Sequence, residues 1–276
     1  MKLGFSTNAY IKKSLTAAIK SISKIGFSGI EIVLDSPHAF LPLKKPKIEK
    51  IKKSLKTWNL KVTNLNSNTV LGWHIGKQNP EKFEPSLSAN NEKLRKWRIN
   101  YTKQAIDLAC ELQSPSISIT SGLLKKTHKD AYLNNFRNSL NELASYAKER
   151  KIQIAIEYEP NLLIENSKDV SQFLNLEYDN VGINLDTCHA AVLGENIPKL
   201  IKNFHKKIFH THISDCKNQK HYHLIPGLGE IDFVKMYLAL QKIKYTGYLT
   251  AELYTYSQEP DKAAKDMLNY FKKLMN

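Results

Sequence analysis

The sequence predicts a single (β/α)₈ barrel, and three observations support this fold class. Short β-type runs alternate with longer amphipathic segments along the chain, and each kind of segment occurs eight times. Strict alternation of strands and helices implies a parallel sheet, because parallel neighbours need a crossover connection. The length of 276 residues is the length that eight such units need.

The predicted strands are residues 3–7, 29–34, 62–66, 116–120, 153–158, 181–185, 208–213 and 248–253. The predicted helices lie near residues 14–25, 47–58, 91–111, 130–149, 167–175, 197–204, 232–242 and 261–274. No Pro-, Gly- or Ser-rich linker separates them, so one domain over residues 1–276 is expected. An open doubly wound sheet is the alternative, but no G-x-G-x-x-G follows the first predicted strand.

One connection is too long for a plain loop. It runs over about residues 67–90, after the third predicted strand, and shows little periodicity. Loops of this length in compact domains are usually functional lids or disordered segments. After a barrel strand the loop lies on the face that carries active sites. The sequence therefore predicts a lid, with Trp73 packing on the substrate.

The net charge of +15 comes from 41 basic and 26 acidic residues. The lysines are scattered over nearly every helical segment and form no stripe interleaved with aromatic residues, so a solvated surface is favoured over a nucleic-acid partner.

No apolar run approaches the roughly 20 residues of a membrane span. The three cysteines, Cys110, Cys188 and Cys216, form no C-x-x-C pair. A reduced cytoplasmic location is expected.

Four consecutive predicted strands bring a carboxylate or an imidazole to the same end of the barrel. These residues are Glu157, Asp186, His212 and Glu252. In this fold the chemistry takes place where the strands end. Buried charges are costly unless they are paired or bind a metal. The set predicts a divalent cation, and it suits Mn²⁺, Mg²⁺, Co²⁺ or Zn²⁺ without choosing between them.

Other polar residues near these strand ends have more than one interpretation. Glu159 shares a strand face with Glu157, so it is a second ligand or an acid near the substrate, although Pro160 suggests that the strand has ended. Glu31 in the second predicted strand either reaches the barrel interior or is a structural hydrogen-bonding carboxylate. Asn66, at the end of the third predicted strand, is a candidate substrate contact.

His221 and His223 precede a sharp turn that begins with Pro226-Gly227, which places them well to point into a cleft. Cys188 and Cys216 flank the predicted ligands and are expected to be small buried residues. Three further histidines are expected on the surface: His38, His128 and His205.

The motifs together resemble the xylose isomerase-like TIM-barrel superfamily. They are Glu157 after a β-run, Asp186-x-x-His189, His212-x-x-Asp215, the Pro-Gly-x-Gly-Glu-Ile-Asp-Phe turn at 226–233, and Glu252 in Gly-Tyr-Leu-Thr-Ala-Glu at 247–252. The N-terminal Leu-Gly-Phe-Ser-Thr and the Gly-Phe-Ser-Gly-Ile-Glu at 26–31 are in the same style. The resemblance covers essentially the whole chain.

The resemblance to D-tagatose 3-epimerase-type enzymes implies four metal ligands and assigns a role to His189, which matches a position that touches substrate oxygens. The four ligands are Glu157, Asp186, His212 and Glu252, and the two glutamates act as the acid/base pair. His223 stands where those epimerases carry a substrate-binding arginine. This departure argues against a ketohexose 3-epimerase.

The superfamily also includes the three-zinc apurinic endonuclease. Asp186 to His189 resembles its strand-six motif, and His223 matches a ligand of an additional zinc. However, His221 stands in place of an aspartate ligand, and two further histidine ligands are missing at 64–66 and 119–121. An abasic-site phosphodiesterase is therefore a less favoured interpretation.

The favoured function is a metal-dependent isomerase or epimerase of a sugar, sugar phosphate or keto-polyol. Glu157 and Glu252 would remove and return a proton through a metal-bound enediolate. A dehydratase or lyase needs the same parts, and a non-catalytic sugar-binding barrel is the rival from another class. One divalent cation is expected, with a second if the neighbouring histidines also bind. The expected partners are a carbohydrate-like small molecule and, by resemblance, a second copy of the chain.

Overall fold

The computed structural model of the protein describes residues 1–75, 81–125, 127–174 and 178–275. Its strands, numbered in chain order, are β1 Lys2–Ser6, β2 Gly29–Val33, β3 Lys61–Asn66, β4 Ser116–Ile119, β5 Gln153–Ile156, β6 Val181–Asp186, β7 Ile208–Ile213, β8 Asp215–Lys217, β9 Lys220–Leu224 and β10 Tyr248–Ala251. Strands β1 to β7 and β10 close into a barrel in the order β1-β10-β7-β6-β5-β4-β3-β2. Every pair in it is parallel, so the predicted fold class is confirmed.

The helices are α1 Leu15–Ile25, α2 Lys45–Thr57, α3 Leu71–His74, α4 Glu92–Glu111, α5 Lys129–Glu149, α6 Ser167–Leu174, α7 Thr187–Val192, α8 Ile197–Phe204, α9 Phe233–Lys242 and α10 Pro260–Met275. Eight of them match the predicted segments, and the short helices α3 and α7 were not predicted. Local chemistry fixes the ends of α1. The Ser14 side chain accepts a hydrogen bond from the Ala17 amide at the start of α1, and Gly26 ends α1 with φ of +115°.

Five predicted strands end earlier in the structure, β1, β2 and β4 by one residue and β5 and β10 by two. β5 was predicted through Tyr158 and β10 through Leu253, but both end just before the glutamate of interest. The backbone amides of these glutamates still bond to the barrel: Glu157 N donates to Ile119 O at 2.9 Å, and Glu252 N donates to Ile213 O at 3.1 Å. Both side chains therefore begin at the rim of the barrel, where their backbone is held.

An antiparallel hairpin of β8 and β9 follows β7, where the sequence predicted only a loop. Its two turn residues, Asn218 and Gln219, have φ of +54° and +53°. Positive φ at both turn positions matches the twist of a two-residue hairpin. The strands are too short for a periodicity signal, so the hairpin was missed.

The barrel interior is polar as well as apolar. Asn64 on β3 donates to Glu31 Oε2 at 2.8 Å and to Ser118 Oγ at 2.9 Å, and it accepts from Ser116 Oγ at 2.8 Å. All four side chains are fully buried. Buried polar groups are stable where they are hydrogen-bonded to one another. The interior therefore carries a connected polar network below the strand ends.

The expected surface position of His38 is wrong. His38 is 3% exposed, and its Nε2 lies 3.1 Å from Tyr10 O and 3.0 Å from Lys13 O. The backbone carbonyls supply the partner that a buried imidazole needs. His128 and His205 are exposed, and Cys188 and Cys216 are buried, as expected.

None of the helices in the described ranges combines the length and apolar character of a bilayer-spanning segment.

Candidate metal centre and substrate cavity

Four side chains from consecutive barrel strands meet at the strand ends. One ligand atom from each of Glu157, Asp186, His212 and Glu252 lies within 4.8 Å of the others. His212 Nδ1 lies 3.1 Å from Glu157 Oε1, 3.5 Å from Glu252 Oε2 and 4.0 Å from Asp186 Oδ2. All four side chains are buried. The structure brings together the four residues that the sequence analysis singled out as metal ligands.

Local hydrogen bonds hold the aspartate in place. Asp186 is the N-cap of α7, and its Oδ1 accepts the amides of Cys188 at 2.7 Å and His189 at 2.9 Å. This arrangement is a helix cap at the end of a barrel strand. The other oxygen, Oδ2, is buried without a hydrogen-bond partner among the described residues. One oxygen is therefore used by the helix and the other faces the cluster.

The electrostatics of the cluster suit a cation. Burial opposes protonation of His212, but the carboxylates of Glu252, Glu31 and Glu157 outweigh it and hold the imidazole pKa well above its ordinary value. Burial raises the pKa of Glu252 well above its ordinary value, and the neighbouring carboxylates add to this. Three buried carboxylates around one imidazole repel one another unless positive charge separates them. The donor set and the free Asp186 oxygen fit a divalent cation.

A cavity of about 470 Å³ lies next to this cluster. Glu157 and Glu252 line it, so the two glutamates face both the cluster and the cavity. The other predicted site residues that line it are Asn66, Glu159, His189, His221 and His223. Most of the residues that line the cavity are polar or charged, and apolar side chains such as Val70, Leu71 and Phe83 lie among them. A cavity of this size is typical of a small-molecule site, and its many polar groups suit a polar molecule.

Three histidines, His189, His221 and His223, form a second group on the cavity wall, where one nitrogen from each ring lies within 4.8 Å of the others. His189 Nδ1 lies 2.9 Å from Tyr158 O, and His223 Nδ1 lies 3.0 Å from Glu252 O. His221 and His223 each keep an Nε2 without a hydrogen-bond partner in the described structure. Burial lowers the pKa of His221 to about 4 and that of His223 to about 3. Both rings are neutral. His223 Nδ1 donates to a carbonyl oxygen, so its free Nε2 accepts from a bound molecule, whereas His221 can donate or accept.

One buried carboxylate organises the turn that follows the hairpin. The Asp215 carboxylate accepts four backbone amides: Cys216 at 2.9 Å, Gly227 at 2.9 Å, Gly229 at 2.8 Å and Ile231 at 3.1 Å. A Cβ on Gly229 would lie 2.2 Å from Cys216 O, so the turn admits only glycine there without moving. The Pro-Gly-x-Gly motif is thus wrapped around one buried carboxylate.

Glu159 lies beyond the end of β5, as Pro160 suggested, and lines the cavity. Burial raises its pKa to about 7, and the nearby His189 opposes this increase. The predicted position near the substrate cavity therefore agrees with the structure. Its role as a ligand or an acid stays a prediction.

The predicted lid lies partly outside the described residues, because 76–80 are not described. Leu71, Lys82 and Phe83 from this segment line the cavity. Trp73 instead packs on Trp97 of α4, with ring centroids 4.1 Å apart. Trp73 is not among the described residues that line the cavity, and its contact with a substrate stays a prediction.

The beginning of this segment is attached to the second barrel strand through Asp35. The buried Asp35 carboxylate accepts Val70 N at 2.9 Å, Leu71 N at 2.8 Å and Gly72 N at 2.6 Å. Thr69 Oγ1 donates to the same carboxylate at 3.1 Å. This anchor was not predicted, because the sequence carries no signal for a carboxylate that binds backbone amides 35 residues away.

Two asparagines beside the glutamates, and two further residues beside His212, were not assigned to the candidate metal centre from the sequence. Asn184 Nδ2 lies 3.1 Å from Glu157 Oε2, and Asn8 Nδ2 donates to Glu252 Oε1 at 3.0 Å. The other two, His210 and Glu31, form a buried group with His212. The period of two along a strand puts His210 on the same face as His212, so this signal was present in the sequence.

Comparisons with known proteins agree with this architecture. The profile of the family described as xylose isomerase-like TIM barrel matches residues 19–274. The fructoselysine 3-epimerase of Shigella flexneri is 27% identical over 285 residues, which span 100% of this chain and 98% of that protein.

Two solved structures share the fold. A D-tagatose 3-epimerase-like protein superposes with a TM-score of 0.79 at 21% identity, over 100% of both chains. The IOLI protein, crystallised with a zinc atom, also gives 0.79 at 21% identity, over 99% of this chain and 98% of that one. The family profile covers nearly the whole sequence, which confirms the resemblance found in its motifs. The chain belongs to the xylose isomerase-like TIM-barrel family.

Proposed function

We propose that this protein is a divalent-metal-dependent isomerase or epimerase of a carbohydrate-like carbonyl compound. The observation that carries the proposal is that Glu157 and Glu252 belong to the four-ligand cluster and also line the adjacent cavity. Two carboxylates that flank one bound molecule can remove a proton from carbon and return one. The full-length relative named fructoselysine 3-epimerase supports this class of reaction.

Glu157, Asp186, His212 and Glu252 would hold the cation. A bound divalent ion supplies Lewis-acid polarisation of a carbonyl oxygen, which acidifies the neighbouring C–H bond. The zinc atom in the structurally similar IOLI protein supports a metal here, although the ligand set does not select one ion.

The chain's own residues then carry the proton. One of Glu157 and Glu252 takes the proton from the carbon beside the carbonyl, and the other supplies a proton from the opposite face. Asn184 and Asn8 donate hydrogen bonds to these two carboxylates, at 3.1 and 3.0 Å, and keep them oriented. His189, whose pKa the nearby Asp186, Glu159 and Glu157 raise against the effect of burial, can donate from Nε2 to the enediolate oxygens, while the free Nε2 of His223 can accept a substrate hydroxyl.

The metal content of the purified protein tests this proposal. We expect about one Mn²⁺, Co²⁺, Mg²⁺ or Zn²⁺ per chain by plasma mass spectrometry, and loss of the ion in Glu157→Gln and Asp186→Asn, because each substitution removes an anionic ligand. Glu149→Gln and Asp179→Asn are matched controls on side chains 73% and 84% exposed, and they should keep the ion.

Other results would contradict the proposal. No bound ion after reloading the metal-free protein would overturn the mechanism. Incision of abasic-site DNA, with affinity that falls steeply as salt rises, would favour a phosphodiesterase. Loss of water from a keto-polyol, with no exchange of its carbon-bound proton in the remaining substrate, would favour the dehydratase.

We also propose that residues 67–75 and 81–90 belong to a lid over the cavity, held by Asp35. Replacing Asp35 by Ala removes the acceptor of three consecutive amides, each worth about 1.5–3 kcal/mol when the acceptor is charged. We expect KM to rise at least about tenfold, which corresponds to about 1.4 kcal/mol. Amide hydrogen exchange at Val70 to Gly72 should become faster.

Asp266→Ala, on an exposed carboxylate of α10, is the control and should change neither quantity. An unchanged KM in the Asp35 variant, together with faster exchange at these amides, would show that the segment does not close on substrate.

A further inference from the structure

A buried carboxylate lies on the side of His212 that faces away from the cavity. Glu31 on β2 is fully buried, and its Oε2 lies 2.8 Å from His212 Nε2. β2 and β7 are not neighbours in the barrel, so this contact crosses the interior. The opposite ring nitrogen, Nδ1, faces the carboxylates of Glu157, Glu252 and Asp186 at 3.1, 3.5 and 4.0 Å. The two nitrogens of one ring therefore face two different groups of acids.

We propose that Glu31 is a positioning residue of the metal centre, which accepts a hydrogen bond from His212 Nε2–H and so turns the lone pair of Nδ1 toward the ligand cluster. A neutral imidazole carries one proton, and the nitrogen without it is the one that can bind a cation. An ionised carboxylate only accepts hydrogen bonds, so the proton stays on Nε2. The inference rests on the proposed function, because it concerns the same metal centre.

The surroundings of Glu31 keep its carboxylate in this position. Asn64 Nδ2 donates to Oε2 at 2.8 Å, and His210 Nε2 lies 3.2 Å from the same oxygen. The Asn64 amide of β3 and a ring nitrogen of each of the two histidines of β7 thus lie close to one oxygen. A fully buried carboxylate is costly to keep for packing alone. The free-energy cost of burying Glu31 is accounted for if Glu31 orients His212 and makes its imidazole a stronger metal ligand. Carboxylates behind metal-binding histidines do this at many metal sites.

The Mn²⁺ affinity of the full chain tests the inference. Glu31→Gln keeps the shape of the side chain but removes its charge, and the new amide can donate to His212 Nε2 and favour the opposite tautomer. We expect the Mn²⁺ dissociation constant to rise about 10–100-fold, while the urea midpoint stays close to that of the wild type. Ser118→Ala is the matched control, because Ser118 belongs to the same buried network and bonds to Asn64, not to His212.

A coupling measurement separates positioning from a general structural role. If Glu31 acts through His212, Glu31→Gln should cause no further loss of affinity in a His212→Asn background. An equal loss in both backgrounds would overturn the inference. If Glu31→Gln does not fold, the wild type still gives an answer: ¹H–¹⁵N spectra of the Zn²⁺-loaded protein should show the His212 proton on Nε2, and a proton on Nδ1 would overturn it.

The outcomes also distinguish this inference from the proposed function. Mn²⁺ binding that is lost in Asp186→Asn but unchanged in Glu31→Gln would overturn the role of Glu31 and leave the metal centre intact. A wild-type chain that binds no divalent ion would overturn both.

Discussion

Replacing Glu252 by Gln is expected to lower the exchange of the substrate's carbon-bound proton with solvent by about 10²–10⁴-fold, the range that a general acid or base contributes. The amide cannot carry the proton, and the cluster loses one of its three carboxylates. The measurement is the incorporation of solvent deuterium, followed by NMR, over a panel of ketoses, keto-polyols and their conjugates, with saturating Mn²⁺.

Two controls sharpen this test. Glu259→Gln makes the same chemical change seven residues away, on a side chain 70% exposed, and should exchange like the wild type. Glu157→Gln should lose exchange as Glu252→Gln does, since each glutamate performs half of the transfer. Full exchange in either cluster variant, with the metal still bound, would remove that glutamate from the chemistry. No exchange by the wild type with any compound would favour the sugar-binding barrel.

Replacing Asp215 by Ala is expected to cost at least about 3 kcal/mol of unfolding free energy. The carboxylate is fully buried and accepts four backbone amides, and hydrogen bonds to a charged acceptor contribute about 1.5–3 kcal/mol each. Native proteins unfold with only about 5–15 kcal/mol, so the loss is a large fraction of the total. Urea denaturation followed by far-UV circular dichroism measures it.

The hairpin gives a local readout of the same change. The turn that Asp215 organises follows β9, which carries His221 and His223, so amide exchange over β9 should accelerate more than over β1. Asp179→Ala is the control, on a carboxylate 84% exposed, and should change stability by less than about 0.5 kcal/mol. A stable Asp215→Ala protein with a protected hairpin would show that other contacts hold the turn.

The barrel could be predicted from the sequence because its strands and helices each leave a pattern in a short stretch of residues. β7 was predicted at its observed bounds, 208–213, and the helix segments begin and end within two residues of the observed helices. Apolar periodicity and the alternation of strands and helices are enough for this. The ends of β5 and β10 lie two residues before the predicted ones, because the last residues of a parallel strand are fixed by pairing with its neighbours.

The four ligand candidates were also predictable, since each follows a recognisable strand and all four strands end at one face. The contact between Glu31 and His212 was not, because it joins positions 181 residues apart across the interior. Trp73 illustrates a different limit of sequence-based prediction. An aromatic residue in a long loop has no local sequence pattern that indicates which surface it packs on. In the structure Trp73 packs on Trp97.

The two loop anchors have a consequence for how this barrel can change its substrate. Asp35 and Asp215 bind backbone amides, which every residue except proline possesses. The cavity-facing side chains at Val70 and Leu71 can therefore be exchanged while the main chain that carries them stays in place. Substitutions at these two positions would therefore change the shape of the cavity wall without moving the loop main chain or the ligand cluster.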